Sequence, residues 1–433
     1  MSVATSGAYL ENLLHGQPLP PASPLAWLNR LRAAAVDRVG ALTVPTTRDE
    51  EWRFTDISPL AKLTFQPVTV APRLRAADIA RFCIDEAPIR LVFVDGVHAP
   101  ELSGAAADGG LVVGNLAAAR VHAAAIEPHL GRHVDFNDSV FAALNTAFLY
   151  DGALVIVPPH ARVATPVHLL FIATQKDAVS YPRCLVLAER GSEVTVIEDF
   201  VTLQDAAYFT NAVTEVALGD DARVTHLRLQ RESGAAFHIA NCAVALGAAS
   251  AYRSIGVALG ARISRLNVNV LQAAEGAECT VDGLALIDGS QLADTHTMID
   301  HAKAHGVSRQ LHKCIVAGSA HAVFNGKIRV RAGAQRTDSS QSNRNLLLSG
   351  RAQVDTKPQL EIFADDVKCA HGATVGQLDA EEVFYLKSRG MSDAAARSLL
   401  TYAFGAEIID RIPVASLRTR LEKAVLERTA DAA

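Results

Sequence analysis

Four stretches of this chain repeat one pattern at nearly constant spacing, and a repeat of that kind restricts the fold more than composition can. They read LVLAERGSEVTVIE, VALGDDARVTHLRL, VALGAASAYRSIGV and VLQAAEGAECTVDGL, each a strand, a tight Gly/Asp/Ala turn and a second strand. Aligning Thr195, Thr225, Arg253 and Thr280 gives steps of 30, 28 and 27 residues. A period of this size over a β-rich stretch marks a solenoid, in which each repeat buries its apolar face against the next. A β-sandwich would show turns at the same density without a fixed step, and the LxxLxLxxN signature of leucine-rich repeats is missing. The expectation is a mainly β protein with a parallel β-helix core over residues 151–376.

The flanks read differently. Residues 1–150 form a mixed region, with helical spacing over Pro24–Val39, a polar RDEEWRFTDISPL stretch, a strand at Ile89–Asp95 and a helix from Asn137 that Gly152 is placed to stop. Where the β-helix begins, between Ile89 and Leu154, stays open. Residues 377–433 switch to helix, with Asp379 and Glu382 as a capping-box-like start, Ser392 as a second cap, and VASLRTRLEKAVLERT as a third helix. A helical unit there can cap the open end of a solenoid or dock another protein. The net charge of -5 argues against nucleic acid or an anionic membrane as partner. No apolar run approaches the roughly 20 residues that cross a bilayer, and MSVATSGAYLENLLHG lacks the basic-then-apolar pattern of an export signal. A cytoplasmic location follows as an expectation. The six cysteines include no CxxC pair, so most are expected to be small buried hydrophobes.

Chemistry concentrates in Lys357–Gly376, KPQLEIFADDVKCAHGATVG. Read as one strand, it places Asp365, Val367, Cys369 and His371 on one face and Asp366, Lys368 and Ala370 on the other. A thiol and an imidazole about 7 Å apart along a strand can meet one partner surface or one soft metal centre. Adjacent Asp365 and Asp366 then point to opposite faces and cannot flank a glycosidic bond, which disfavours a β-helix carbohydrate enzyme. A second cluster, His296, His301, His305 and His312, includes an i, i+4 pair with metal-ligand spacing on a helix face, although nothing around it reads as a firm helix. The chain has no phosphate loop, GxSxG elbow, HExxH helix or EF-hand loop.

Several long runs carry a family resemblance: SRQLHK (308–313), VFNGKIRV (323–330), AQ…TD…Q…N…NLLLS (334–349), VDTKPQLEIFADDVKCAHGATVGQLD (354–379), FYLKSRG (384–390) and EEWRFTDISPL near the start. Together they resemble the SufB/SufD family of the Suf iron–sulfur assembly machinery, over nearly the whole chain. CAHGATV stands where SufB resembles EHEATTS, and Asn343 stands 28 residues before His371, where SufB carries a cysteine. Those departures point to the SufD branch and leave no complete cluster site on one subunit. The resemblance implies a right-handed parallel β-helix with flanking helical regions and a non-enzymatic scaffold role that contributes to iron acquisition. It implies pairing with SufB through the β-helix, docking of the SufC ATPase on the C-terminal helices, and pairing of two copies in isolation. It makes His371 the ligand that faces the SufB thiolate, as metal ligand to a transient Fe–S cluster that is not held stably by this chain alone. Cys369 is a second candidate. A purely structural partner of SufB and SufC, with no cluster ligand, is the alternative.

Overall fold

The computed structural model describes residues 19–68, 70–104 and 110–431. From Ala153 to Gly376 the chain winds as a parallel β-solenoid of about eight turns. Each turn gives one strand to each of two facing sheets. Sheet 1 runs from Ala153–Val157 to Gln353–Ile362, and sheet 2 ends at Lys368–Gly376. The repeat alignment is the physical register: Thr195 pairs with Thr225, Thr225 with Arg253 and Arg253 with Thr280. The same row continues through Arg309, Ser340 and Ala370. The tight turns are corners between the sheets. One residue per corner, Gly191, Asp221, Ala249, Gly276, His305 and Arg336, takes a positive φ of 52–69°. This left-handed geometry reverses the chain direction within one or two residues, and it recurs with the period of the repeat.

The start of the solenoid lies earlier than its first full turn. Ile89–Val94 pairs parallel with Val167–Ala173 and extends sheet 2. Two N-terminal helices, α1 (Ala26–Ala41) and α2 (Val140–Ala147), pack Ala35, Val39, Val140 and Phe141 against Phe209, Phe237 and Ile263 of sheet 1. Helix α2 stops before Gly152, because Phe148 leaves the helical path to stack on Tyr181 at 4.9 Å. Glu215, fully buried, joins this region to the solenoid: it accepts the backbone N–H groups of Gly131, Arg132, His133 and Val134 and pairs with Arg183.

Three helices follow the last strand: α3 (Ala380–Ser388), α4 (Asp393–Ile409) and α5 (Ala415–Asp431). Asp379 caps α3 by accepting from Glu381 N, and Ser392 caps α4 by accepting from Ala395 N. Helices α4 and α5 do not cap the open end, as a helical unit at that place in the sequence can. They lie along the outer face of sheet 2, where Ile408, Ile409, Leu417 and Leu421 cover Leu284, Leu286, Leu311 and Ile315. The reason is apolar area: that stretch of sheet 2 is hydrophobic on its outer face, and burying it outweighs covering a polar end. Lys313 to Glu407 at 2.6 Å and Arg411 to Asp282 at 2.8 Å fix the position. Gln353–Ile362 and Lys368–Gly376 are therefore left as the terminal strands of their sheets.

Candidate functional site

The open end carries the two residues that the sequence singled out. Cys369 and His371 lie two apart on Lys368–Gly376, whose register partners on the preceding turn are Ser339 and Gln341. Cys369 packs against Ile328, Val330, Ala334 and Ala364, so its side chain faces the solenoid interior, and strand alternation turns His371 to the same side. His371 is exposed and Cys369 half-buried. Asp365 and Asp366 do not share this strand. They form the last corner, where the backbone carbonyl of Asp366 accepts from Arg336 N and its N–H donates to the side chain of Gln335. The corner recurs once per turn, and these acidic residues occupy it.

Partial burial, and then the nearby Asp338 carboxylate, push the Cys369 thiol above its ordinary range. It is held as a neutral thiol at neutral pH, and a metal would have to displace its proton. Among the described residues no three His, Cys, Asp or Glu side chains converge as a metal-binding group. Asn343 stands inside the solenoid, fully buried, donating to the carbonyl of His312 and accepting from Asn345 Nδ2.

The four clustered histidines are not brought together. His296 and His301 lie on a strand, His305 is a corner residue with φ of 62°, and His312 is on the next strand. The i, i+4 pair therefore lies on no helix. His296 is paired with Asp294 at 3.0 Å and Glu51 at 3.3 Å. His301 meets the Ser308 hydroxyl at 2.9 Å, and His312 packs on Phe324 with ring centroids 4.6 Å apart. Burial drives His301 and His312 down to about 4 and the Cys279 and Cys314 thiols up to about 12, so these interior groups are all neutral at pH 7.

Sequence reasoning missed the edge itself. Lys368 N donates to Thr337, and Gln353 N and Phe363 N donate to Ala320 and Val330. In a parallel ladder alternate residues bond to alternate sides. The outward backbone groups are therefore those of Cys369, His371, Ala373 and Val375 on one sheet, and Val354, Thr356, Pro358, Leu360 and Ile362 on the other. Pro358, which has no N–H to give, falls on the outward side and leaves the inner ladder intact. Ile362, Phe363 and Val375 are exposed around these edges. On α3, Phe384 and Tyr385 are exposed beside a groove between that helix and the corner at Leu348–Gly350. Pro358 was the available signal, because proline in a long strand marks an edge.

Comparison with known proteins follows the same outline. Residues 171–404 match the family model described as SUF system FeS cluster assembly, SufBD core domain, and residues 18–169 match the SufBD protein N-terminal region. The chain is 44 % identical over 416 residues to an iron-sulfur cluster assembly SufBD family protein of Synechocystis, covering 92 % of this chain and 90 % of that one. It is 34 % identical over 376 residues to the iron-sulfur cluster assembly protein SufD of Escherichia coli, covering 85 % of each. The SufD protein of Bacillus subtilis is 28 % identical over 417 residues, covering 93 % and 94 %. No helix among the described residues is long and apolar enough to cross a membrane.

Proposed function

The chain belongs to the SufBD family of the SUF iron–sulfur assembly system, and from that premise we propose that it is a scaffold and adaptor subunit rather than an enzyme. It pairs with SufB edge to edge at the open end of the solenoid and docks the SufC ATPase on its C-terminal helices. It serves iron acquisition and nascent cluster formation by presenting His371, with Cys369 behind it, at the seam. The observation that carries this reading is the open end: among the described residues two adjacent sheets finish in unpaired strands, and one of those strands bears the imidazole and the thiol.

The physical argument is one of satisfaction. A row of free N–H and C=O groups is a template for strand addition. A partner solenoid related by a two-fold-like rotation would continue both sheets at once, antiparallel across the seam. His371 lies on the outermost strand, so a thiolate on the partner's facing strand would complete a shared ligand set. The cluster is then cargo held between two chains, with a histidine in place of one of the usual thiolates. The exposed aromatic pair Phe384 and Tyr385 on α3 supports docking of the ATPase nearby.

Anaerobic reconstitution of the three-component complex with iron and sulfide tests the ligand. His371→Ala is expected to remove most of the cluster absorbance while leaving the complex intact by gel filtration. Unchanged cluster content would favour a purely structural partner.

A further inference from the structure

Directly behind His371 lies a buried side chain whose hydrogen-bonding groups are unused. Gln341 is 3 % exposed, and among the described residues neither its Oε1 nor its Nε2 has a partner. A buried amide left in that state loses its hydration with nothing in exchange, so native interiors supply partners. Gln341 is neighboured on its inward row by Gln310 on one side and His371 on the other. Gln310 is also buried, with Nε2 unpartnered, and its Oε1 accepts from the Thr297 hydroxyl at 2.7 Å.

The interior is shaped for this amide. Gly326, on the facing sheet, leaves the space Gln341 occupies: a Cβ there would stand 2.1 Å from Gln341 Nε2 and 2.6 Å from its Cδ. The absence of one side chain thus admits the end of another. Strands in one sheet are about 4.8 Å apart, a gap that stacked glutamine amides bridge as ladders.

We propose that Thr297, Gln310 and Gln341 form an amide ladder that orients the His371 imidazole. His371, rotated inward about its side-chain torsions, donates one ring N–H to Gln341 Oε1. A small turn of the Gln341 amide lets its Nε2 donate to Gln310 Oε1, whose second lone pair takes the Thr297 hydroxyl. The other ring nitrogen of His371 then keeps its lone pair toward the seam. Metal-binding histidines are fixed in this way, with the far N–H held by a carbonyl or carboxylate. Gln341 is a positioning residue here, and the inference rests on the proposed reading of His371 as a ligand.

Selective 15N labelling of histidine in the full chain at pH 8.5 reads the ring tautomer, with His371→Ala assigning the signal. The parent is expected to show one protonated and one bare ring nitrogen. In Gln341→Leu the two shifts should converge, as the tautomers mix. Gln341→Glu, which keeps an acceptor oxygen, should restore the separation. If Gln341→Leu fails to fold, Gly326→Ala displaces the same amide and should converge the shifts as well. A parent already mixed, or an unchanged pattern in both Gln341→Leu and Gly326→Ala, overturns the ladder. Failure of the ligand reading looks different: cluster content would survive His371→Ala while the tautomer result stands.

Discussion

Two proline substitutions one residue apart should separate the chain's own fold from its pairing. At Ala373 the backbone N–H points out from the free edge of sheet 2; at Gly372 it points in, toward the strand Asp338–Leu347. Ala373→Pro removes an edge donor and leaves the inner ladder whole, as Pro358 already does on the neighbouring edge. In a joined seam the carbonyl facing Ala373 would lose its donor in a buried setting, at about 1–3 kcal/mol. That corresponds to roughly 5- to 150-fold weaker binding, and the ring's bulk adds in the same direction. Gly372→Pro deletes a bond of the inner ladder and should loosen the terminal strand of the isolated chain. The assay pairs calorimetric titration against purified SufB–SufC with a melt of each isolated variant. Ala373→Pro should bind weakly with a near-parental Tm, and Gly372→Pro should show a lowered Tm. Binding of Ala373→Pro within about twofold of the parent, or equal loss of Tm in both variants, would refute edge pairing through this strand.

Two further outcomes follow from the interior. Gly326→Ala forces a Cβ against the Gln341 amide, and overpacking of this kind should destabilise the chain by about 1–3 kcal/mol in urea. The buried group of Glu198, His226 and Arg228 predicts a pH dependence. Burial alone would lower the His226 pKa, but Glu198 drives it up to about 9; burial opposes ionisation of Glu198, yet His226 and Arg228 hold it at about 2. His226 is raised in the folded state, so its contribution is complete below about pH 6.5 and is lost as pH rises through 9. Glu198 is depressed, so its contribution holds above about pH 4.5 and fades as pH falls toward 2. Tm should therefore decline from pH 6.5 to 9.5 in the parent, and His226→Gln should flatten that limb; an unchanged slope would show that the imidazole is not charged in the fold.

The solenoid was legible because a stacked repeat writes its register into the chain. Thr195, Thr225, Arg253 and Thr280 align because the corners recur with the same period, each with one residue in a left-handed turn. The corners also explain what was misread. His305 and Asp366 occupy corner positions, so a histidine spacing suggestive of a helix and an acidic pair suggestive of a strand were turn chemistry. The flank position of α4 and α5 was not legible, because it depends on the outer face of sheet 2 being apolar over several turns, and each strand alone shows only ordinary alternation. Gln341 was invisible for a related reason. A lone glutamine carries no signal until its row neighbour, thirty residues away, is known to be His371.

On the proposed reading, the open end and the quiet interior belong to one arrangement. Four thiols inside the solenoid, Cys184, Cys242, Cys279 and Cys314, are buried, and burial raises those of Cys184, Cys279 and Cys314. A neutral thiol is a poor metal ligand, so Cys184, Cys279 and Cys314 do not compete for metal with the rim. Cys369 is raised as well, which leaves His371 as the exposed candidate ligand at the edge. With Asn343 an amide hydrogen-bonded inside, the chain would offer His371 as one ligand and Cys369 as a second that must be deprotonated. Joining the edges to a partner would satisfy the free backbone groups and supply the missing thiolate in one step. The same event would fix His371 between the seam and the Gln341 amide. On the same reading, a cluster built there would be lost when the edges part, and an ATPase docked on the neighbouring helices would have a mechanical hold on its release.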